Sequence, residues 1–399
     1  MEVEFMKKLT GVFLVVLLLL SFSTAVWAGG QQETEVVKVA FIAPFTGGNA
    51  QQGINGRNGF ELAINEANAS GEFPYEIELI ALDDGSVPEQ GVTAAQKACS
   101  DPLVVAAAGH FNSPVALATI PVFHEYNVPM IIWSAIHPDI TAKYGSQWDE
   151  ITRICVTIPL ETRAFFDWVV DDLGYSSFSV ISDTSSYGKS TLQYFKEEAG
   201  KRNVSIASVD EINTGETDFM AILTKIKGLN PRPQALYYSG VVMEGALIRQ
   251  QMIKAGLDDV LFCAISGLDS QRFNEVAGKN AEGTLVVGKG RGESLDKWPN
   301  FVNAYKEAGY KEALSARTAY GYDAAGIILH ALKDVGPDRA AMVDAIRDIS
   351  YDGIFGTYTF DETGQTNLSA ASHLVSQDGE FVTFDTSEYS SGKRMLQGK

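Results

Sequence analysis

The residues able to do chemistry fall in short segments, each at the end of an apolar run. These are Thr46-Gly47-Gly48-Asn49, Gly109-His110-Phe111-Asn112-Ser113-Pro114 and Trp133-Ser134-Ala135-Ile136-His137-Pro138. Further along come Asp183-Thr184-Ser185-Ser186-Tyr187-Gly188, Ser239-Gly240 and Ile265-Ser266-Gly267. They are rich in hydroxyls and glycine, a composition suited to hydrogen-bonding a small polar molecule. Ser113-Pro114 is the sharpest signal. Serine is a favoured helix N-cap and proline a favoured first helical residue. The pair leaves backbone N–H groups and the positive end of a helix dipole free, and a carboxylate is stabilised there. The bland alternative is that Ser113 only caps its helix. Tyr187 could stack on a ligand or simply pack.

Enzyme signatures are absent or broken, and no catalytic residue, metal ligand or cofactor is assigned. Ser186-Tyr187-Gly188-Lys189-Ser190 resembles the end of a phosphate-binding loop, but Asp183 stands where that loop needs glycine. Gly288, Gly290 and Gly292 do not make a dinucleotide fingerprint, and no nucleophile elbow occurs. His110, His124, His137, His330 and His373 lack metal-ligand spacing. Asp83-Asp84 at a strand end could bind a metal or act in acid–base chemistry; turn formation and capping are the plainer reading.

The elements that must position these segments alternate. Val36–Ala43 reads as a buried strand, and strands are expected near 76–82, 103–108, 128–133 and 151–156. Helices are expected between them, at 52–68, 88–99 and 114–126. The pattern restarts with strands near 178–182, 204–209, 235–238, 260–264 and 284–287. Its intervening helices are expected near 160–172, 187–200, 218–227, 242–255 and 270–277. Long helices follow at 298–308, 315–335 and 338–349, then short strands from Thr357 onward, including 381–384. Strands separated by helices imply parallel sheets covered on both faces. The count is too high for one compact sheet, and polar 145–150 marks a domain change near Thr157.

The chain has 399 residues, with 31 Lys+Arg against 50 Asp+Glu, a net charge of −19. That balance argues against nucleic-acid binding and against docking on an anionic membrane. Residues 1–28 have the layout of a secretory signal peptide: Lys7-Lys8, an apolar run from Val12 to Leu20, and Val26-Trp27-Ala28 as a cleavage site. No later stretch approaches membrane-spanning length. The processed chain is expected to be periplasmic or extracellular, with no direct membrane insertion. Cys155 and Cys263 lie in apolar strands and read as buried thiols.

Several stretches together resemble the type I periplasmic solute-binding proteins, and more narrowly the branched-chain amino-acid (Leu/Ile/Val)-binding proteins of ABC transporters. They are VKVAFIAPFTGGNAQQGINGRNGFELAINEANASG, IELIALDDGSVPEQGVTAAQKA, GHFNSPVALATIPVFHEYNVPMI, SDTSSYGKS, ALYYSGVVMEGALIRQQMIKAGL, VAGKNAEGTLVV, AYGYDAAGIILHAL and FGTYTFDETGQ. The resemblance implies two Rossmann-like α/β lobes with parallel sheets, joined by three crossovers, and a ligand in the cleft between them. Lobe one would comprise 36–157 and 289–352, lobe two 158–288 and 353–399. It implies a carboxylate gripped by Ser113 and by Ser134, Ala135 and Ile136, with Tyr187 closing from the second lobe.

Four positions depart from the amino-acid pattern. Ile136 replaces a threonine, Ser266 an acid that pairs with the ligand ammonium, Val241 a lining tyrosine, and Gln52 an aromatic of the first loop. The cysteine pair that some relatives carry near Ser86 and Asn112 is missing. A buried ammonium needs acceptors and a counter-charge. Either Asp183 or Asp269 supplies one, or the ligand has no ammonium; the second reading is favoured. The expected function is non-catalytic capture of a small carboxylate-bearing or polar molecule for delivery to a membrane ABC permease. The alternatives are a branched-chain or other amino acid as ligand, a ligand-sensing subunit for a membrane receptor, or an exported hydrolase using His110 or His137.

Overall fold

The computed structural model describes residues 35–292, 295–368 and 371–398; the expected signal peptide, 1–28, lies outside them. The first sheet contains β1 (Val36–Ala43), β2 (Glu76–Asp83), β3 (Val104–Gly109), β4 (Met130–Ile132) and β5 (Ile151–Arg153). All pairs are parallel, in the order β2-β1-β3-β4-β5. Helices α1 (Ala50–Ser70), α2 (Pro88–Ser100) and α3 (Ser113–Glu125) connect them. Every residue of β3 is buried, as a strand sandwiched between helices requires.

After β5 the chain crosses to α4 (Ile158–Phe165), which continues into wider π-helical turns over Phe166–Asp172 rather than as one regular helix. The second sheet holds β6 (Ser177–Asp183), β7 (Ser205–Ile212), β8 (Ala235–Ser239), β9 (Leu261–Ile265) and β10 (Leu285–Lys289). Its helices are α5 (Ser186–Lys201), α6 (Met220–Lys227), α7 (Val242–Ala255) and α8 (Gln271–Ala277). The chain then returns to the first sheet as α9 (Trp298–Glu307), α10 (Ala316–Val335) and α11 (Arg339–Arg347).

Helix α10 packs unusually close to α1. A Cβ on Gly59 would collide with the Thr318 carbonyl, and one on Gly321 with the Gly56 carbonyl. The missing side chains let the two backbones touch, which sets the first turn of α10 beside the start of α1.

The tail departs from expectation. The pair β11 (Tyr351–Asp352) and β12 (Thr357–Tyr358) stays with the first lobe, because Asp323 of α10 accepts from Ile354 N–H (2.8 Å) and Tyr358 O–H (2.8 Å). Gln365 bridges to Arg153. The last crossing to the second sheet therefore follows residue 367, later than the expected 353. There β13 (Ala371–Gln377) and β14 (Glu380–Thr383) add an antiparallel edge, giving β14-β13-β10-β9-β8-β6-β7. Strand β13 is invisible to a period search because Ser372 and His373 interrupt its apolar run.

Candidate ligand-binding cleft

In open parallel sheets, ligands bind beyond the carboxyl ends of the strands. Here those ends converge from both sheets on one cavity of about 100 Å³. From the first lobe come Asn49 after β1, Phe111, Asn112 and Ser113 after β3, Ser134 and Ile136 after β4, and Arg317 in the first turn of α10. From the second come Asp183, Ser185 and Tyr187 after β6, Val241 after β8, Ser266 and Gly267 after β9, and Lys289 at the end of β10.

The two lobes touch across the mouth. A Cβ on Gly48 would stand 2.7 Å from Met243 Cγ. Gln51 Oε1 accepts from Ser270 Oγ (3.2 Å) and from the Arg272 backbone N–H (3.1 Å), so it caps the start of α8 from the opposite lobe.

Of the residues expected to meet a ligand, Ser113, Ser134, Ile136, Tyr187, Val241 and Ser266 line the cavity. Ala135 and Gln52 do not, and both expectations are corrected. Ala135 is 1 % exposed and turns its N–H back to the His110 carbonyl (3.0 Å). Gln52 sits behind Arg317 and accepts from its Nε (2.8 Å). Asn112, not Ser113, holds the capping position of α3, without a side-chain cap. Ser113 Oγ accepts instead from His137 N–H (3.3 Å), tying α3 to the loop after β4. Tyr187 Oη accepts from Gly267 N–H (3.1 Å), which closes the second-lobe wall on itself.

Three charged residues escaped sequence reasoning. Arg317 donates through Nη1 to Ser134 Oγ (2.9 Å) and through Nη2 to the Ser266 carbonyl (3.1 Å) of the other lobe. Its guanidinium lies 4.8 Å from the centre of the Phe111 ring. Burial lowers its pKa, opposed by Asp269 and Glu161. Lys289 Nζ donates to the Ser134 carbonyl (3.1 Å) and stands 3.7 Å from Glu161 Oε1. Burial raises the Glu161 pKa against the pull of Lys289 and Ser266. Asp183 also lines the cavity, its pKa raised chiefly by burial and held back by Ser185. Asp269 faces away, accepting from Lys289 N–H (3.2 Å) and pairing with Arg291 (3.2 Å). A signal for two of the missed residues does exist in the sequence. Lys289 ends an otherwise apolar strand, and Arg317 opens a helix where the dipole disfavours a cation.

The groups weighed for catalysis are engaged elsewhere. His110 is fully buried, with Nδ1 2.8 Å from Asp84 Oδ2 and Nε2 2.9 Å from Thr119 Oγ1. None of the three lines the cavity. Asp83 accepts from Phe45 N–H (2.8 Å), Thr46 Oγ (2.7 Å) and Gly85 N–H (2.8 Å), so it shapes the loop after β1. His137 Nδ1 accepts from Asp139 N–H (3.2 Å), and burial lowers its pKa. Cys99, Cys155 and Cys263 are buried free thiols.

The sequence profile of the periplasmic binding protein family matches residues 36–380. The chain belongs to that family. A Leu/Ile/Val-binding protein homolog of Brucella melitensis is 28 % identical over 360 residues, 87 % of this binding protein and 93 % of the relative. A leucine-binding protein of Thermotoga maritima superposes with a TM-score of 0.78 at 27 % identity, over 87 % of this chain and 97 % of its own. A solute-binding protein of R. palustris in complex with benzoate superposes with a TM-score of 0.77 at 19 % identity, over 88 % and 95 %. The fold is that of the type I periplasmic binding proteins, a family that binds solutes rather than transforming them.

Proposed function

We propose that this binding protein captures a small carboxylate-bearing molecule between its lobes and delivers it to a membrane ABC permease. The observation that carries this reading is the Arg317 guanidinium, buried in the cavity wall and bonded only to neutral acceptors. A cation so placed is stabilised by an anion arriving in the cavity. Ser113 and the start of α3 offer a second favourable position for negative charge. Phe111, Ile136, Val241 and Tyr187 supply apolar surface for the rest of the ligand. Capture would proceed by hinge closure at the crossovers, with no cofactor. The processed chain would work outside the cytoplasm.

An amino-acid ligand is the second reading. Asp183 favours it, as the acid side chain among the lining residues that could face an ammonium. The Brucella and Thermotoga relatives are named for leucine-type ligands, whereas the R. palustris protein holds benzoate, an acid without an amine. Thermal-shift titrations with small acids and amino acids test the proposal, alongside native mass spectrometry for co-purified ligand. A ligand at a hundred times its Kd should add about 2.7 kcal/mol of stability. If no acid and no amino acid shifts the protein, and none co-purifies, the carboxylate reading fails.

A further inference from the structure

Two cations, Lys289 and Arg317, line the cavity and one acid, Glu161, lies behind them, and their arrangement decides what charge a ligand can carry. Glu161 lies in the first turn of α4, fully buried. Its Oε2 accepts from Ser266 Oγ (2.6 Å) and Ser266 N–H (3.3 Å), while Oε1 has no hydrogen-bond partner. The Lys289 ammonium stands 3.7 Å from that Oε1, and both side chains are at most 2 % exposed. Lys289 and Ser266 line the cavity; Glu161 does not. The acid therefore meets the cavity only through groups that already neutralise it.

We infer that Lys289 is the amine-excluding residue of this site: it fills the place a ligand ammonium would take beside Glu161. The ligand class is then small carboxylates without an amino group. This rests on the carboxylate reading above and deepens it. An ammonium entering beside Ser266 would meet the Lys289 ammonium and the Arg317 guanidinium. Like charges brought that close, away from bulk water, repel strongly. A carboxylate in the same place is attracted to both, and the two cations outnumber the one acid behind them, Glu161. Asp183, the one acid lining the cavity among the described residues, already accepts from Ser185 N–H and Oγ at its Oδ1.

The test is calorimetric titration with matched pairs: propanoate and alanine, 4-methylpentanoate and leucine, 3-phenylpropanoate and phenylalanine. The wild-type protein should bind the acid of a pair at least thirtyfold more tightly than its amino counterpart. Lys289→Met should weaken the acid at least tenfold and strengthen the amino acid at least tenfold. Because that variant leaves Glu161 unpaired, the double variant E161Q/K289M serves as the folded control. Its acid-to-amine ratio should fall toward one. Wild-type protein that prefers the amino acids overturns amine exclusion but leaves the carboxylate reading standing, with Asp183 as counter-charge. An unchanged ratio in the folded variants overturns the role of Lys289 alone. Wild-type protein silent toward both members of every pair overturns this inference and its parent reading together.

Discussion

Arg153 and Arg317 are both buried, at 0 % and 3 % exposure, and all their hydrogen-bond acceptors are neutral, yet they do opposite work. Arg153 ends β5, where the chain first leaves the first sheet. It donates to Gln365 Oε1 (2.7 Å), the His137 carbonyl (2.6 Å) and Thr141 Oγ1 (2.6 Å), and burial brings its pKa down to about 10. Its backbone pairs with Gly364 and Thr366, which precede the third crossover. All these partners lie on one side of any hinge. Arg317 instead bonds Gln52 and Ser134 of its own lobe and the carbonyls of Ser266 and Asp269 across the cleft. Opening the cleft must break the second set and bare the charge. The same buried guanidinium thus fastens one lobe in one place and, on the reading proposed above, would report closure in the other.

The sharpest way to break the comparison is to remove each charge. Arg153→Met removes three charge-assisted hydrogen bonds, each worth about 1.5–3 kcal/mol, although Gln365 Oε1 keeps the Thr141 hydroxyl and the His137 carbonyl keeps Ile140 N–H as donors. We expect a loss of about 3 kcal/mol or more in denaturant unfolding, with less than a threefold change in ligand Kd for the folded protein. Arg317→Met should do the reverse. Truncating one partner of a buried charged contact typically costs 2 kcal/mol or more of affinity, so carboxylate binding should weaken roughly thirtyfold or more. Its stability should fall less than that of Arg153→Met, because the open cleft lets water reach the abandoned acceptors. Equal affinity losses in the two variants would dissolve the distinction.

The sequence showed one half of this pair of roles more clearly than the other. Alternating strands and helices, loop chemistry and the Ser113-Pro114 helix start located the cleft, and most of the hydroxyl-bearing wall followed. The charged floor did not, because Glu161, Lys289 and Arg317 are far apart in the chain. Only the return of α10 to the first sheet, and the glycine contacts that press it on α1, bring Arg317 to Ser134. Glu161 in a helix first turn looks like any dipole-compensating acid. The late third crossover was hidden for a similar reason: what holds 354–358 to the first lobe is Asp323, a carboxylate inside an apolar helix.

Asp323 sharpens the comparison by pH. It shares α10 with Arg317 but faces the hinge-side segment, and burial pushes its pKa up to about 7 despite donors from Ile354, Phe355 and Tyr358. A folded pKa above the unfolded one means that the native state holds the proton more tightly. The resulting stability is complete below about pH 4 and is lost as pH rises through about 7. Between pH 5 and 8 this group should remove about 2 kcal/mol of stability. Asp323→Asn should flatten that part of the stability–pH curve. Subtracting the variant's curve from the wild type's isolates Asp323 from Glu161 and Asp183, whose raised pKa values push in the same direction. The wild-type preference among ligands should survive the substitution, since no part of Asp323 lines the cavity.

The smallest expected effect tests closure itself. Gln51 Oε1 bonds Ser270 and Arg272 across the mouth and does not line the cavity. Its contribution therefore enters only through the closed state. Gln51→Ala should remove about 1 kcal/mol from that state whatever ligand is inside. Apparent affinity scales with the fraction of protein competent to close, so every ligand should weaken by the same factor, roughly fivefold. Arg317→Met should penalise anions far more than neutral molecules. A uniform loss in Gln51→Ala beside a charge-selective loss in Arg317→Met would separate the clasp from the sensor. A charge-selective loss in Gln51→Ala would instead put its side chain in contact with the ligand.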